Sequence, residues 1–159
     1  FTHTKYHTMI QDVLELQQRH EDFIKNICQT EIVFGLENNV GFATLDSTNY
    51  ENENGKPMPV MCFWSDRNKA LACAKDKWKQ YRPAEIKLSE FIEEWCVGMY
   101  NEGLLAGTDF DENKQGNESD ALELLLEITA ELESLGKEPE FKKFENLADL
   151  EEQIREILE

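Results

Sequence analysis

Four short apolar runs constrain this chain most: Ile32 to Leu36, Val40 to Leu45, Val60 to Trp64 and Leu104 to Thr108. Each is about the length of a strand and too short for a packed helix of ten residues or more. Between and around them the apolar period lengthens to that of a helix. Ile10, Val13, Leu14, Leu16, Phe23, Ile24 and Ile27 predict one long helix from about Thr8 to Cys28, or two if Arg19-His20-Glu21-Asp22 bends it. Ile32–Leu36 and Val40–Leu45, on either side of Asn38-Asn39, read as a hairpin. Ser47 to Pro59, rich in Asn, Glu, Gly and Pro, reads as an exposed loop before the third strand.

Ser65 or Asp66 is placed to cap a helix carrying Ala70, Leu71, Ala74 and Trp78 and ending near Tyr81, ahead of Pro83. Ile86 and Leu88 form a short extended link to a Ser89-capped helix with Phe91, Ile92, Trp95 and Met99 inward, stopped by Gly103. The fourth strand follows, then a polar loop from Asp111 to Glu118. Beyond it the pattern is helical only, from Asp120 to Leu135 and from about Asn146 to Leu158, with Gly136 and Pro139 between. The expected fold is α+β: a small, mainly antiparallel sheet packed by helices, with an acidic helical C-terminal extension over residues 119–159. All 159 residues are expected to form one domain able to bury its own core.

Read together, residues 20–110 resemble the bacterial domain-of-unknown-function family 2750. The landmarks are Phe23, Phe34-Gly35-Leu36, Gly41-Phe42-Ala43, and Pro59-Val60 leading into Phe63-Trp64-Ser65-Asp66. Ala70, Ala74, Trp78, Tyr81, then Ile86, Leu88, Phe91 and Trp95, and finally Gly103-Leu104-Leu105-Ala106-Gly107 complete the series in order. The resemblance implies a small α+β fold and brings neither an activity nor residues to transfer.

Charge narrows the partner. Lys and Arg total 16 against 33 Asp and Glu, a net charge of −17 that repels nucleic-acid phosphates and anionic lipid. Residues 111–159 hold 5 of the basic and 16 of the acidic side chains, so the excess is concentrated at the C-terminal end. The field suits a basic protein partner, although it also serves solubility. No run approaches the roughly 20 apolar residues of a membrane span, and Phe1 to Ile10 lacks a secretory apolar core, so the cytoplasm is the expected compartment. Cys28, Cys62, Cys73 and Cys96 are far apart and sit in apolar patterns, which predicts free buried thiols and no zinc site.

Several constellations have both a structural and a chemical reading. Trp64, Asp66 and Tyr81 would line a candidate ligand cleft, yet Asp66 also suits a helix cap, and Trp78 and Trp95 lie on core-facing stripes. His3 and His7 share a helix face without a third metal ligand, and Asp109 to Gly116 lacks the register of a calcium loop. No metal or cofactor is expected. Glu123, Glu127 and Glu131 recur every four residues, forming either a solvated face or a docking surface for Lys and Arg. Glu133, Asp149, Glu151 and Glu152 are further candidates for that surface. Leu147, Leu150, Ile154 and Ile157 form a seam to be covered by the preceding helix or by another copy, making self-association through the last helix a second option. The expectation is a non-enzymatic protein-binding domain, most concretely an immunity protein neutralising a basic toxin domain. The alternative is a small enzyme or ligand-binding domain centred on Trp64, Asp66 and Tyr81.

Overall fold

The computed structural model describes the backbone of residues 2–159 and side chains from Asp12 onward, so His3 and His7 lie outside the described side chains. The long N-terminal stripe is one helix, α1 (Thr2–Thr30), with no break at Arg19-His20-Glu21-Asp22. Strands β1 (Ile32–Glu37), β2 (Thr44–Glu51) and β3 (Pro57–Trp64) follow. After β3 come α2 (Arg67–Ala72), a 3₁₀ turn at Asp76–Trp78 and β4 (Arg82–Lys87). A continuous helical segment then runs through α3 (Leu88–Glu90), a π-helical stretch at Phe91–Cys96 and α4 (Val97–Glu102). The remainder is β5 (Leu105–Thr108), β6 (Asn117–Ser119), α5 (Ala121–Ser134) and α6 (Leu147–Leu158).

The six strands form one sheet in the order β4-β1-β3-β5-β6, with β2 also on β3. Every pairing is antiparallel except β3 with β5, so the α+β class stands with a mainly antiparallel sheet. Residues alternate between faces along each strand. Val33, Phe63, Ile86 and Ala106 enter a large core with α1, the 88–102 helix, α5 and α6. Leu36, Cys62, Trp64 and Leu105 enter a smaller one under α2 and the 3₁₀ turn, where Trp64 and Trp78 pack edge to face with centroids 6.1 Å apart.

Four expected elements differ. The hairpin around Asn38-Asn39 shrinks to a single bridge, Glu37 with Phe42. β1 and β2 instead lie end to end along one side of β3, Phe34 opposite Trp64 and Thr44 opposite Met61. Asn38 Oδ1 accepts the Val40 and Gly41 N–H groups, so its side chain closes the excursion that a strand pair would have closed. The predicted loop from Ser47 to Pro59 is mostly strand: β2 and β3 form the hairpin, turning at 52–56 with Asn52 Oδ1 accepting from Asn54 and Lys56. The link at Ile86 is a full strand, β4, paired with β1 from Ile32–Lys87 to Glu37–Arg82. The polar loop after β5 ends in β6, which pairs with β5.

Helix boundaries shift for local reasons. The helix expected to reach Tyr81 stops at Ala72 and resumes as the 3₁₀ turn, with Asp76 at φ 54° just inside it. Ser89 does not cap; Lys87 occupies that position without a side-chain bond, and the helix begins at Leu88. Gly103 does end α4, at φ 74°, a left-handed conformation that Gly adopts without a Cβ clash.

The inner face of α5 packs into the core. Leu124, Leu125, Ile128 and Leu132 are fully buried in the same cluster as Phe23, Ile27 and Phe91. Its acidic residues are the other side of that stripe. Leu147, Leu150 and Ile154 of α6 are buried in that cluster too, which leaves Ile157 and Leu158 exposed. Three side chains fasten the 136–146 connection: Lys137 donates to the Cys28 and Gln29 carbonyls, buried Glu93 accepts the Lys143 N–H, and Glu138 accepts the Leu147 N–H. Among the described residues no helix is long and apolar enough to cross a membrane.

Candidate functional site

The residues proposed for a ligand cleft are separated by what each is made to do. Trp64 is fully buried, and its indole N–H donates to the Phe110 carbonyl at 2.9 Å. Asp66 accepts the Asn68 and Lys69 N–H groups at 2.6 and 3.3 Å, as a residue between a strand and a helix start is suited to do. Tyr81 is partly buried beside the smaller core. Trp64 therefore has no surface to offer, and Asp66 is occupied; the three do not form one opening.

A cleft of about 360 Å³ lies nearby, at the carboxyl ends of the parallel strands β3 and β5. Parallel pairing brings both strand ends to one side of the sheet, and the chain leaves them as Ser65-Asp66 and Asp109-Phe110. Asp109 has φ 46°, unfavourable for most side chains but tolerated by Asp and Asn. Its buried carboxylate accepts the Ser65 N–H and O–H, both at 2.8 Å, and faces the Lys69 ammonium at 3.3 Å. Arg19 of α1 donates to the Gln115 carbonyl at 2.9 Å and the Asp109 carbonyl at 3.4 Å, closing the cleft from the other side. Cys73 also lines it, but its thiol donates to the Phe110 and Asp111 carbonyls and burial holds its pKa above the ordinary value. That disfavours the thiolate a nucleophile needs. Burial likewise pushes Cys28 up to about 12 and raises Cys62 and Cys96; all four thiols are free and buried.

A second site lies between the sheet and α5. His20 falls at a core-facing position of the α1 stripe, three residues before Phe23 and seven before Ile27, and is buried. Its Nδ1 is 2.8 Å from Thr108 Oγ1 and 3.2 Å from the Asn117 amide nitrogen; its Nε2 is 3.0 and 3.1 Å from the two Glu127 oxygens. With Nε2–H donating to Glu127, the single lone pair of Nδ1 accepts from the Thr108 hydroxyl, the shorter of its two contacts, while the Asn117 amide also donates to Ser119 at 2.7 Å. The connectivity is that of an acid, an imidazole and a hydroxyl, but Thr108 is fully buried within β5. The network joins α1, β5, β6 and α5.

The seven carboxylates proposed as one partner surface are spread over several places on α5 and α6. Glu123 and Glu127 line a groove of about 520 Å³ between α5 and the sheet, while Glu127 and Glu131 face α1 across Lys25. Glu133 lies against Glu151 at the α5–α6 seam, and that neighbouring carboxylate raises its pKa. Glu151 also pairs with Arg155 at 2.9 Å. Asp149 accepts from the Glu145 N–H and the Gln153 amide, which lower its pKa. Glu152 is exposed on α6. Among the described residues no group of three or more His, Cys, Asp or Glu is arranged to hold a metal ion.

The family described as "Protein of unknown function (DUF2750)" matches residues 20–128, more than half of the chain. The chain belongs to the DUF2750 family. The matched segment includes both partners of the His20–Glu127 contact. It extends into α5, beyond the stretch of resemblance that the sequence landmarks marked out. No curated protein and no solved structure matches the chain.

Proposed function

We propose that this DUF2750 member is a non-enzymatic protein-binding domain that recognises a basic partner, most concretely an immunity protein covering a basic toxin domain. The observation that carries this reading is the placement of the charge. Glu123 and Glu152 are exposed on two helices whose apolar faces are spent in the core, and neither forms an ion pair among the described residues. Carboxylates held on rigid helices present fixed negative charge, which speeds encounter with a positive surface. Four free buried thiols suit a reducing compartment such as the cytoplasm.

Affinity capture at low and high salt identifies the partner, and stopped-flow mixing then measures association with it. Glu123→Lys, Glu131→Lys and Glu152→Lys together are expected to slow association at least tenfold at low salt, with circular dichroism unchanged. Glu127 is left intact because it holds His20. An unaltered association rate removes this surface from the proposal. The second reading, a small-molecule site, is favoured by one observation: the cleft at the carboxyl ends of β3 and β5, where open sheets with parallel strands commonly bind ligands. A ligand-induced rise in melting temperature that Lys69→Ala abolishes would support it.

A further inference from the structure

The groove between the sheet and α5 combines an apolar, aromatic lining with acidic walls. Tyr50 of β2, Met58 of β3 and Leu105 of β5 supply the first; Glu118, Asp120, Glu123 and Glu127 supply the second, and no Lys or Arg lines it. Tyr50 is 50% exposed, so its ring is open to a ligand in the groove. Three of the four carboxylates are fixed by internal bonds: Ser47 donates to Glu118, the Leu122 and Glu123 N–H groups bond Asp120, and His20 contacts Glu127. Glu123 forms no ion pair among the described residues.

A hydrated metal ion would gain nothing from Tyr50, Met58 and Leu105, whereas a cation on an aliphatic stem would use both halves of the groove. A guanidinium goes further than an ammonium, because its plane stacks on an aromatic ring while its forked N–H groups reach carboxylates. We propose that this groove is the socket for an arginine side chain of a basic partner. The proposal rests on the protein-binding reading and adds to it a position and a residue type.

The full chain, ¹⁵N-labelled, would be titrated at low salt with the capped tripeptide acetyl-glycyl-arginyl-glycinamide and its lysine and citrulline counterparts. Amide shifts are expected to concentrate at Tyr50, Ser119 and Glu123, with the arginine peptide bound more tightly than lysine and citrulline silent. Tyr50→Ala is expected to weaken the arginine peptide about fivefold, with Tyr50→Phe restoring it. Glu123→Gln should weaken it too, whereas Glu152→Gln on α6 should not. Equal response to arginine and lysine, shifts spread evenly over α5 and α6, or indifference to Tyr50→Ala would each overturn the socket. If the Lys reversals slow association with the captured partner while Tyr50→Ala and Glu123→Gln leave its affinity unchanged, protein binding stands and the socket falls. If the arginine peptide binds as expected but Glu131→Lys and Glu152→Lys, made without the change at Glu123, leave association unchanged, the socket stands and the wider acidic surface falls.

Discussion

At Asp109 a left-handed backbone and a buried carboxylate coincide, and the two can be tested apart. Asp109→Ala leaves the Ser65 N–H without an acceptor and places Ala at φ 46°, so urea denaturation should show a loss of about 3 kcal/mol. Asp109→Gly suits that φ but still lacks the acceptor, so its gain over Ala reports the backbone and its remaining loss reports the carboxylate; a Gly variant as stable as the parent would show that the bonds to Ser65 contribute little. His20→Ala strands the Thr108 hydroxyl and releases Glu127, for an expected loss of about 2 kcal/mol by the same measurement. A loss below 0.5 kcal/mol, on the order of a surface substitution, would show that the network is replaced by water. Of these residues only Asp66 was legible in the sequence, because its partners are two and three positions away. Asp109 meets Ser65 across 44 positions, and His20 meets Thr108 across 88 and Glu127 across 107. The available signal was a histidine on a core-facing stripe, which says that a polar partner exists without saying which.

Where α5 meets α6, the Glu133–Glu151 contact opposes the packing of Leu150 and Ile154 against α5. A carboxyl whose folded pKa is raised carries its penalty above that pKa and sheds it as pH falls through it. Glu133→Gln should therefore raise the urea midpoint at pH 7, with the gain fading as the medium is acidified through the carboxylate range. Asp149 has the opposite sign. Its lowered pKa means a contribution present at pH 7 and lost as pH falls through the folded value, so Asp149→Asn should lower the midpoint at pH 7. A midpoint unmoved by either substitution would mean that water screens both contacts. Helices with a long apolar stripe and a side-chain cap, α5 behind Asp120 and α6 behind Asn146, were readable from local pattern. Strand partners were not. Two β-rich runs around Asn38-Asn39 satisfy the hairpin pattern equally well when both instead pair with β3, because a period of two names a face and not a neighbour.

For the molecule as a whole, the buried leucines of α5 make the C-terminal third indispensable. A chain ending at Asp120 would expose Phe23, Ile27, Phe91 and Ile92, and is expected to lose its cooperative thermal transition. A sharp calorimetric melt from that truncation would mean that the sheet and α1 hold together without α5. Acidic composition hid this role, since charge on the outer face of a helix says nothing of what its inner face covers. The end-to-end placement of β1 and β2 has a further consequence for how the chain tolerates change in length. Their ladders on β3 are independent of the 38–42 excursion, whose tip, Val40, is 94% exposed. Loop closure grows only slowly in cost with length. An epitope of several residues spliced between Asn39 and Val40 should leave the melting temperature within a few degrees of the parent. This tip is accordingly the natural seam at which to open the chain for a reporter or for new termini.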